Sequence, residues 1–128
     1  MNGTQPKTAD EGIRVSITDL PDRPRTKIIH IEGSLEARSI PSLNRAVLPL
    51  LQSGIVNLVF DCDGLRFVTS PALGVLINYY KRAREQGGTT KYYGLHDHIL
   101  EIFRIVGLTR TFEVYDTQQE ALASIPPA

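Results

Sequence analysis

The chain contains a single cysteine, Cys62. One cysteine excludes an intrachain disulfide and fits a reducing compartment, so a cytoplasmic protein is expected. It also leaves zinc sites built on paired cysteines without their ligands. Charge of one sign is missing as well: 14 Lys and Arg balance 14 Asp and Glu. A net charge of zero provides no bulk field to gather nucleic acid or an anionic membrane. No apolar run approaches the ~18 residues of a membrane helix, so no membrane insertion is expected. The opening "MNGTQPKTADEG" lacks the apolar stretch of a signal peptide and reads as a polar tail over residues 1–11. The closing residues 125–128 read as a second loose tail. Internal repeats and low-complexity tracts are absent.

What remains is an ordinary globular composition, 41% hydrophobic and 22% charged, in 128 residues. That length suits one core. Ile13, Val15 and Ile17 alternate with polar residues, the period of a half-buried strand. "PDRP" follows as a turn, then Ile28 to Ile31 as a second strand ended by Gly33, which suggests an antiparallel hairpin. Leu43, Ala46, Val47, Leu50 and Leu51 mark one helical face, with Pro41 in its first turn. The almost continuously apolar "IVNLVF", Ile55 to Phe60, reads as a central parallel strand covered on both faces. A helix with Leu73, Leu76, Ile77 and Tyr80 inward is expected next, stopped by Gly87-Gly88. Thr89 to Tyr93 is a strand, and Ile99, Phe103 and Val106 face inward from a third helix. A short strand at Phe112 to Tyr115 precedes a last helix opened by Thr117 and Glu120 as a capping box. The order β-β-α-β-α-β-α-β-α predicts an α/β domain over residues 12–124. Its sheet is mixed and mostly parallel, with about 4–5 strands and about four helices.

Signatures of catalysis are missing. Val68 and Ala72 flank Ser70 where a nucleophile elbow needs glycines, and no phosphate-binding glycine loop is present. His96-Asp97-His98 has no zinc spacing and reads as a helix start. His30 reads as a packed or half-exposed strand residue rather than a base. Asp61 and Asp63 read as solvated carboxylates, and Lys81, Arg82 and Arg84 as the wet side of a helix.

The distinctive stretch is "FDCDGLRFVTSPALGVL", Phe60 to Leu76. The residue before a proline is pushed from the helical region, so Ser70 is expected to cap the helix, with Pro71 first inside it. Its hydroxyl would accept from the amide of Ala72 or Leu73, and Ser70→Ala would cost about 0.5–2 kcal/mol. A helix N-terminus also tolerates negative charge. A phosphoryl group on Ser70 could therefore alter docking and leave the fold intact.

The run "LVFDCDGLRFVTSPALGVLINYYKRAREQGG", the glycine of "IEGSLEA" (Gly33) and the tail "IFRIVGLTRTFEVYDTQQEAL" together resemble the STAS domain family of bacterial anti-sigma factor antagonists. The resemblance covers nearly the whole chain, roughly Gly12 to Ser124. It implies a non-enzymatic switch in transcriptional signalling. The serine at the position of Ser70 would be phosphorylated by a partner anti-sigma factor with ATP-dependent serine kinase activity. The unphosphorylated form would capture that partner, and a phosphatase would reset the system. Asp61, Thr69, Ser70, Ala72 and Leu73 would line the contact. Many switching members carry Asp before the acceptor and a glycine after it, where Thr69, Pro71 and Ala72 stand here. Those departures point toward a second reading, a non-switching interaction module in a stress-signalling scaffold or a transport-associated complex. A small-ligand binder or nucleotide hydrolase is a third. An exposed strand edge could also pair two chains weakly. No cofactor or metal is implied.

Overall fold

The computed structural model describes residues 5–8 and 12–126. Its elements follow the expected alternation with one strand added. They are β1 (Gln5–Thr8), β2 (Ile13–Asp19), β3 (Thr26–Leu35), α1 (Ile40–Gln52), β4 (Asn57–Val68), α2 (Ser70–Glu85), β5 (Thr89–Tyr93), α3 (Asp97–Ile105), β6 (Glu113–Tyr115) and α4 (Gln118–Ala123). The strands form one sheet in the order β1-β2-β3-β4-β5-β6. The two pairings from β1 to β3 are antiparallel and the three from β3 to β6 are parallel. The mostly parallel α/β sheet with four α-helices is thus the predicted class.

Sequential strand order has a consequence. Each right-handed crossover between neighbouring parallel strands falls on the same side of the sheet. The helices α1, α2 and α3 accordingly share one face, around Leu43, Val47, Leu58, Phe60, Leu76, Tyr79, Tyr92 and Phe103. Among the described residues, the other face receives only the short α4, around Ile28, Val59, Tyr93, Ala121 and Ile125. In β4, Leu58 and Phe60 belong to the first cluster and Val59 to the second, and all three are fully buried. This is the physical basis of the continuous apolar run that predicted a central strand.

Four expectations are corrected. Gln5–Thr8, within the segment read as a tail, pairs with β2 as an edge strand. The remaining residues 1–4 and 9–11 lie outside the described residues. At the other end, Ile125 is buried in the second cluster, and its carbonyl accepts from Arg23 Nη1 at 2.8 Å. Residues 127–128 lie outside the described ones. Tyr79, not Tyr80, is the fully buried tyrosine of α2, and Val106 closes α3 in solvent instead of facing inward. Thr117 does cap α4, accepting from the Glu120 amide at 3.2 Å, while the Glu120 carboxylate takes the amide of Asp116.

Gly33 shows why one glycine is required. Its φ is +106°, and a Cβ there would lie 2.2 Å from the carbonyl oxygen of Gly12. Only glycine allows β3, which continues past Gly33 to Leu35, to pass that close to the start of β2.

Candidate functional site

The strand β4 runs on well past the expected end at Phe60. β5 stops opposite it, with Asp61 paired to Tyr93. β4 continues to Val68 because β3 continues beside it, pairing Gly33 with Leu65, Ser34 with Phe67 and Leu35 with Val68. On the side that β5 has left, backbone carbonyls would lack partners. His96 Nε2 donates to the carbonyl of Asp63 at 2.7 Å, and His98 Nε2 donates to that of Arg66 at 2.8 Å. The motif His96-Asp97-His98 is therefore a brace. Its residues open α3 and hold the β4 extension that delivers the chain to Ser70. No sequence signal pairs these histidines with carbonyls some thirty residues away.

At the junction, Thr69 rather than Ser70 is the N-cap of α2. Thr69 has φ −118° and ψ 162°, and Ser70 is already helical. The pre-proline bias is a preference, and here Pro71 occupies the second helical position instead of the first. The cap makes no side-chain hydrogen bond. The amides of Ala72 and Leu73 instead bond to the Thr69 carbonyl at 3.1 and 3.2 Å. Pro71 has no amide to offer. The first turn is thus largely closed to an incoming anion, contrary to the open N-terminus expected from the sequence.

Ser70 itself is exposed, and so are Pro71 and Gly74 after it. A Cβ at Gly74 would meet nothing within 4 Å, so this stretch of α2 is a low, unobstructed surface. Phe67 lies three residues upstream and is 50% exposed. By contrast, Ala72 and Leu73 are buried in the core, which removes their side chains from any contact face. Neighbouring residues on a helix are about 100° apart, so Ala72 and Leu73 share the inward face of α2 toward the sheet. Asp61 is also displaced from the role expected of it. It shares its side of β4 with Val59, over the α4 face, and pairs with His30. Of the expected contact residues, Ser70 and the backbone of Thr69 remain at the junction.

The Thr69 hydroxyl oxygen is buried without a hydrogen-bond partner. That position makes it a poor phosphoryl acceptor. It also makes Thr69→Val a direct test. Exchanging an unsatisfied buried hydroxyl for a methyl group of the same shape is nearly neutral or stabilising. We expect a gain of about 0–1 kcal/mol in urea unfolding. A loss beyond 1 kcal/mol on that same scale would reveal a cap bond formed in solution.

On the opposite face, the Asp61 carboxylate gathers two hydrogen bonds, from His30 Nδ1 at 2.6 Å and from the Asp63 amide at 3.0 Å, and it pairs across the ladder with Tyr93. Burial alone would raise the Asp61 pKa, but the hydrogen bonds from His30 and from the Asp63 amide outweigh it, and the net shift is downward. Burial pushes the Tyr93 phenol up to about 12, which keeps it protonated. A carboxyl whose folded pKa is depressed stabilises the fold above its ordinary value of about 4 and loses that contribution as pH falls through the folded value. We therefore expect the unfolding free energy to fall in acid. Asp61→Asn should be less stable at pH 7 and flatter between about pH 5 and 2. Parallel pH profiles for both proteins would contradict the assignment.

Comparison with known proteins follows this geometry. The STAS domain family model matches residues 18–121. An anti-sigma-B factor antagonist of Bacillus subtilis is 27% identical over 86 residues, which are 67% of this chain and 78% of that protein. The crystal structure of an anti-sigma factor antagonist from Mycobacterium paratuberculosis superposes with a TM-score of 0.79 at 20% identity, covering 92% of this chain and 97% of that one. The Bacillus protein SpoIIAA, solved in its phosphorylated form, superposes with a TM-score of 0.62 at 15% identity, covering 95% of this chain and 98% of that one.

Proposed function

Because the chain belongs to the STAS domain family, we propose that it is an anti-sigma factor antagonist. In this reading it is a binding switch whose on and off states differ by a phosphoryl group on Ser70. The observation that carries this is the placement of one exposed hydroxyl on the first turn of α2. Exposed Phe67 lies before it and the bare surface at Gly74 follows, while the flanking Ala72 and Leu73 are sealed in the core. An apolar anchor next to a modifiable hydroxyl suits a protein partner, since docking buries the first and a dianion on the second opposes that docking.

The partner in this reading is an anti-sigma factor with serine kinase activity, which supplies the chemistry. A phosphatase would return the chain to its binding form. No helix of the described residues is long and apolar enough to cross a membrane, which is compatible with work in the cytoplasm. The relatives named as anti-sigma-B factor antagonists support the reading at the level of their names.

Incubation with such a kinase and ATP, followed by peptide mapping, tests it. Phosphate should appear on Ser70, and Ser70→Ala should remain unmodified yet bind the partner. The closed first turn, with Pro71 and the occupied amides of Ala72 and Leu73, favours a second reading, a constitutive interaction module. Tight partner binding with no phosphate on Ser70 would select it.

A further inference from the structure

The sheet face that α1, α2 and α3 leave uncovered carries a polar row that the Ser70 switch does not use. Ser16, His30, Asp61 and Tyr93 are successive register partners on β2, β3, β4 and β5. Thr18 lies two residues along β2 from Ser16, on the same side of the strand. Its Oγ1 is 2.7 Å from His30 Nε2, and His30 Nδ1 is 2.6 Å from Asp61 Oδ2. The order is hydroxyl, imidazole, carboxylate. Each link has the length of a hydrogen bond, and each uses the ring nitrogen that a nucleophile–base–carboxylate chain requires.

The local chemistry favours one proton arrangement. The ionised carboxylate takes the proton of Nδ1 and holds the ring in that tautomer, which leaves Nε2 as an acceptor for the Thr18 hydroxyl. Asp61 is itself fixed by the Asp63 amide at 3.0 Å, and its ladder neighbour Tyr93 accepts from Gln118 Nε2 at 3.0 Å. The His30 and Asp61 side chains keep 24% and 19% of their surface in contact with solvent, so a small molecule can reach them.

From this geometry we propose that Thr18 is a nucleophile that accepts the acyl group of a small activated ester, with His30 as general base and Asp61 as positioning residue. Thr18 Oγ forms a bond to the acyl carbon as its proton passes to His30 Nε2. The ester C–O bond then breaks, and the alcohol leaves with that electron pair and the proton from His30. The product is an O-acyl threonine and the free alcohol, with no oxidant or further reactant. The constellation is separate from Ser70, so the outcome does not depend on the switch.

The test uses p-nitrophenyl acetate and the full chain. We expect a burst of one p-nitrophenol per chain and one acetyl group on the peptide carrying Thr18. Thr18→Ala should abolish the burst and Thr18→Ser should retain it. His30→Ala should slow acylation about 10²–10⁴-fold, the usual contribution of a general base. Added imidazole should restore part of that rate, which a merely structural histidine would not allow. Asp61→Asn should slow acylation, with Asp61→Glu recovering part of it, in a pH range where thermal unfolding shows each variant folded. Acetyl groups found only on lysines, or Thr18 acylated equally fast in His30→Ala, would overturn the proposal. Should a variant unfold, the wild-type peptide map still decides it: an unlabelled Thr18 ends the proposal.

Discussion

Phe60→Ala is expected to remove about 3–5 kcal/mol of stability, a large part of the roughly 5–15 kcal/mol typical of a domain. Phe60 is fully buried in the first half of β4, with neighbours on both sides in the sheet. Its ring stacks on Tyr92 at 5.0 Å between centroids and lies 6.3 Å from Tyr79. Tyr92 in turn stacks on Phe112 at 4.9 Å and meets Phe103 edge-on at 5.8 Å. Truncating Phe60 thus opens a cavity at the node where β4, α2, β5 and α3 meet. A rigid parallel sheet on one side and helices on the other limit collapse into that space. Urea unfolding monitored by circular dichroism measures the effect. Phe67→Ala is the contrast, because half of Phe67 is exposed and its loss should cost about 0.5 kcal/mol or less. If the two variants were equally stable, the ring stack would not be the centre of the core.

The core was readable in the sequence wherever the period was clean. The apolar run of β4 needs cover on both faces, and it has α1 and α2 on one side and Ile125 and Ala121 on the other. The face of α1 was readable from Leu43, Ala46, Val47 and Leu51. Ambiguity entered where two similar residues stand side by side. Tyr79 and Tyr80 both fit an amphipathic pattern within one position, and the choice falls to tertiary contacts. Tyr79 donates to Asn44 of α1 at 2.5 Å, whereas Tyr80 reaches sideways to Phe112. Sequence periodicity carries no record of such a partner.

Ser70 stands out in the sequence by the Thr-Ser-Pro step, and in the structure it is exposed. The cap moved by one residue because β4 carries extended backbone through Thr69, whose amide bonds to the Leu35 carbonyl at 3.0 Å. That bond belongs to the β3–β4 ladder, which the polar letters of "DCDGLRFV" conceal. Asp61 differs for a related reason. The sequence suggests a solvated carboxylate near the contact face; within a strand that continues to Val68, alternation sends it to the α4 face and to His30. Sequential strand order leaves that face half open, so polar side chains there can pair with one another instead of being excluded by a core.

Phosphorylation of Ser70 is expected to weaken partner binding about a hundredfold or more while leaving the melting temperature within a few degrees. The two halves of that prediction have separate causes. For the fold, the added group carries about −1.5 to −2 charges at an exposed position on the first turn of α2. The helix dipole there favours it by roughly 0.3–1 kcal/mol. Little else in the chain takes hold of it, since Pro71 has no amide and those of Ala72 and Leu73 serve the Thr69 carbonyl. The group therefore stays in water, and stability hardly changes. For docking, a partner covering Ser70, Phe67 and Gly74 would strip water from the dianion. An uncompensated buried charge costs several kcal/mol, and about 2.7 kcal/mol already corresponds to a hundredfold. Isothermal titration of the phosphorylated and unmodified chains against the same anti-sigma factor measures one half, and thermal unfolding measures the other. Ser70→Ala should bind as the unmodified chain does and melt within about 0.5 kcal/mol of it, because Ser70 is not the cap. A phosphorylated chain that binds unchanged would remove Ser70 from the interface. One that melts far below the parent would mean the group disrupts the first turn of α2, and loss of binding would then follow from unfolding instead of from charge at the contact.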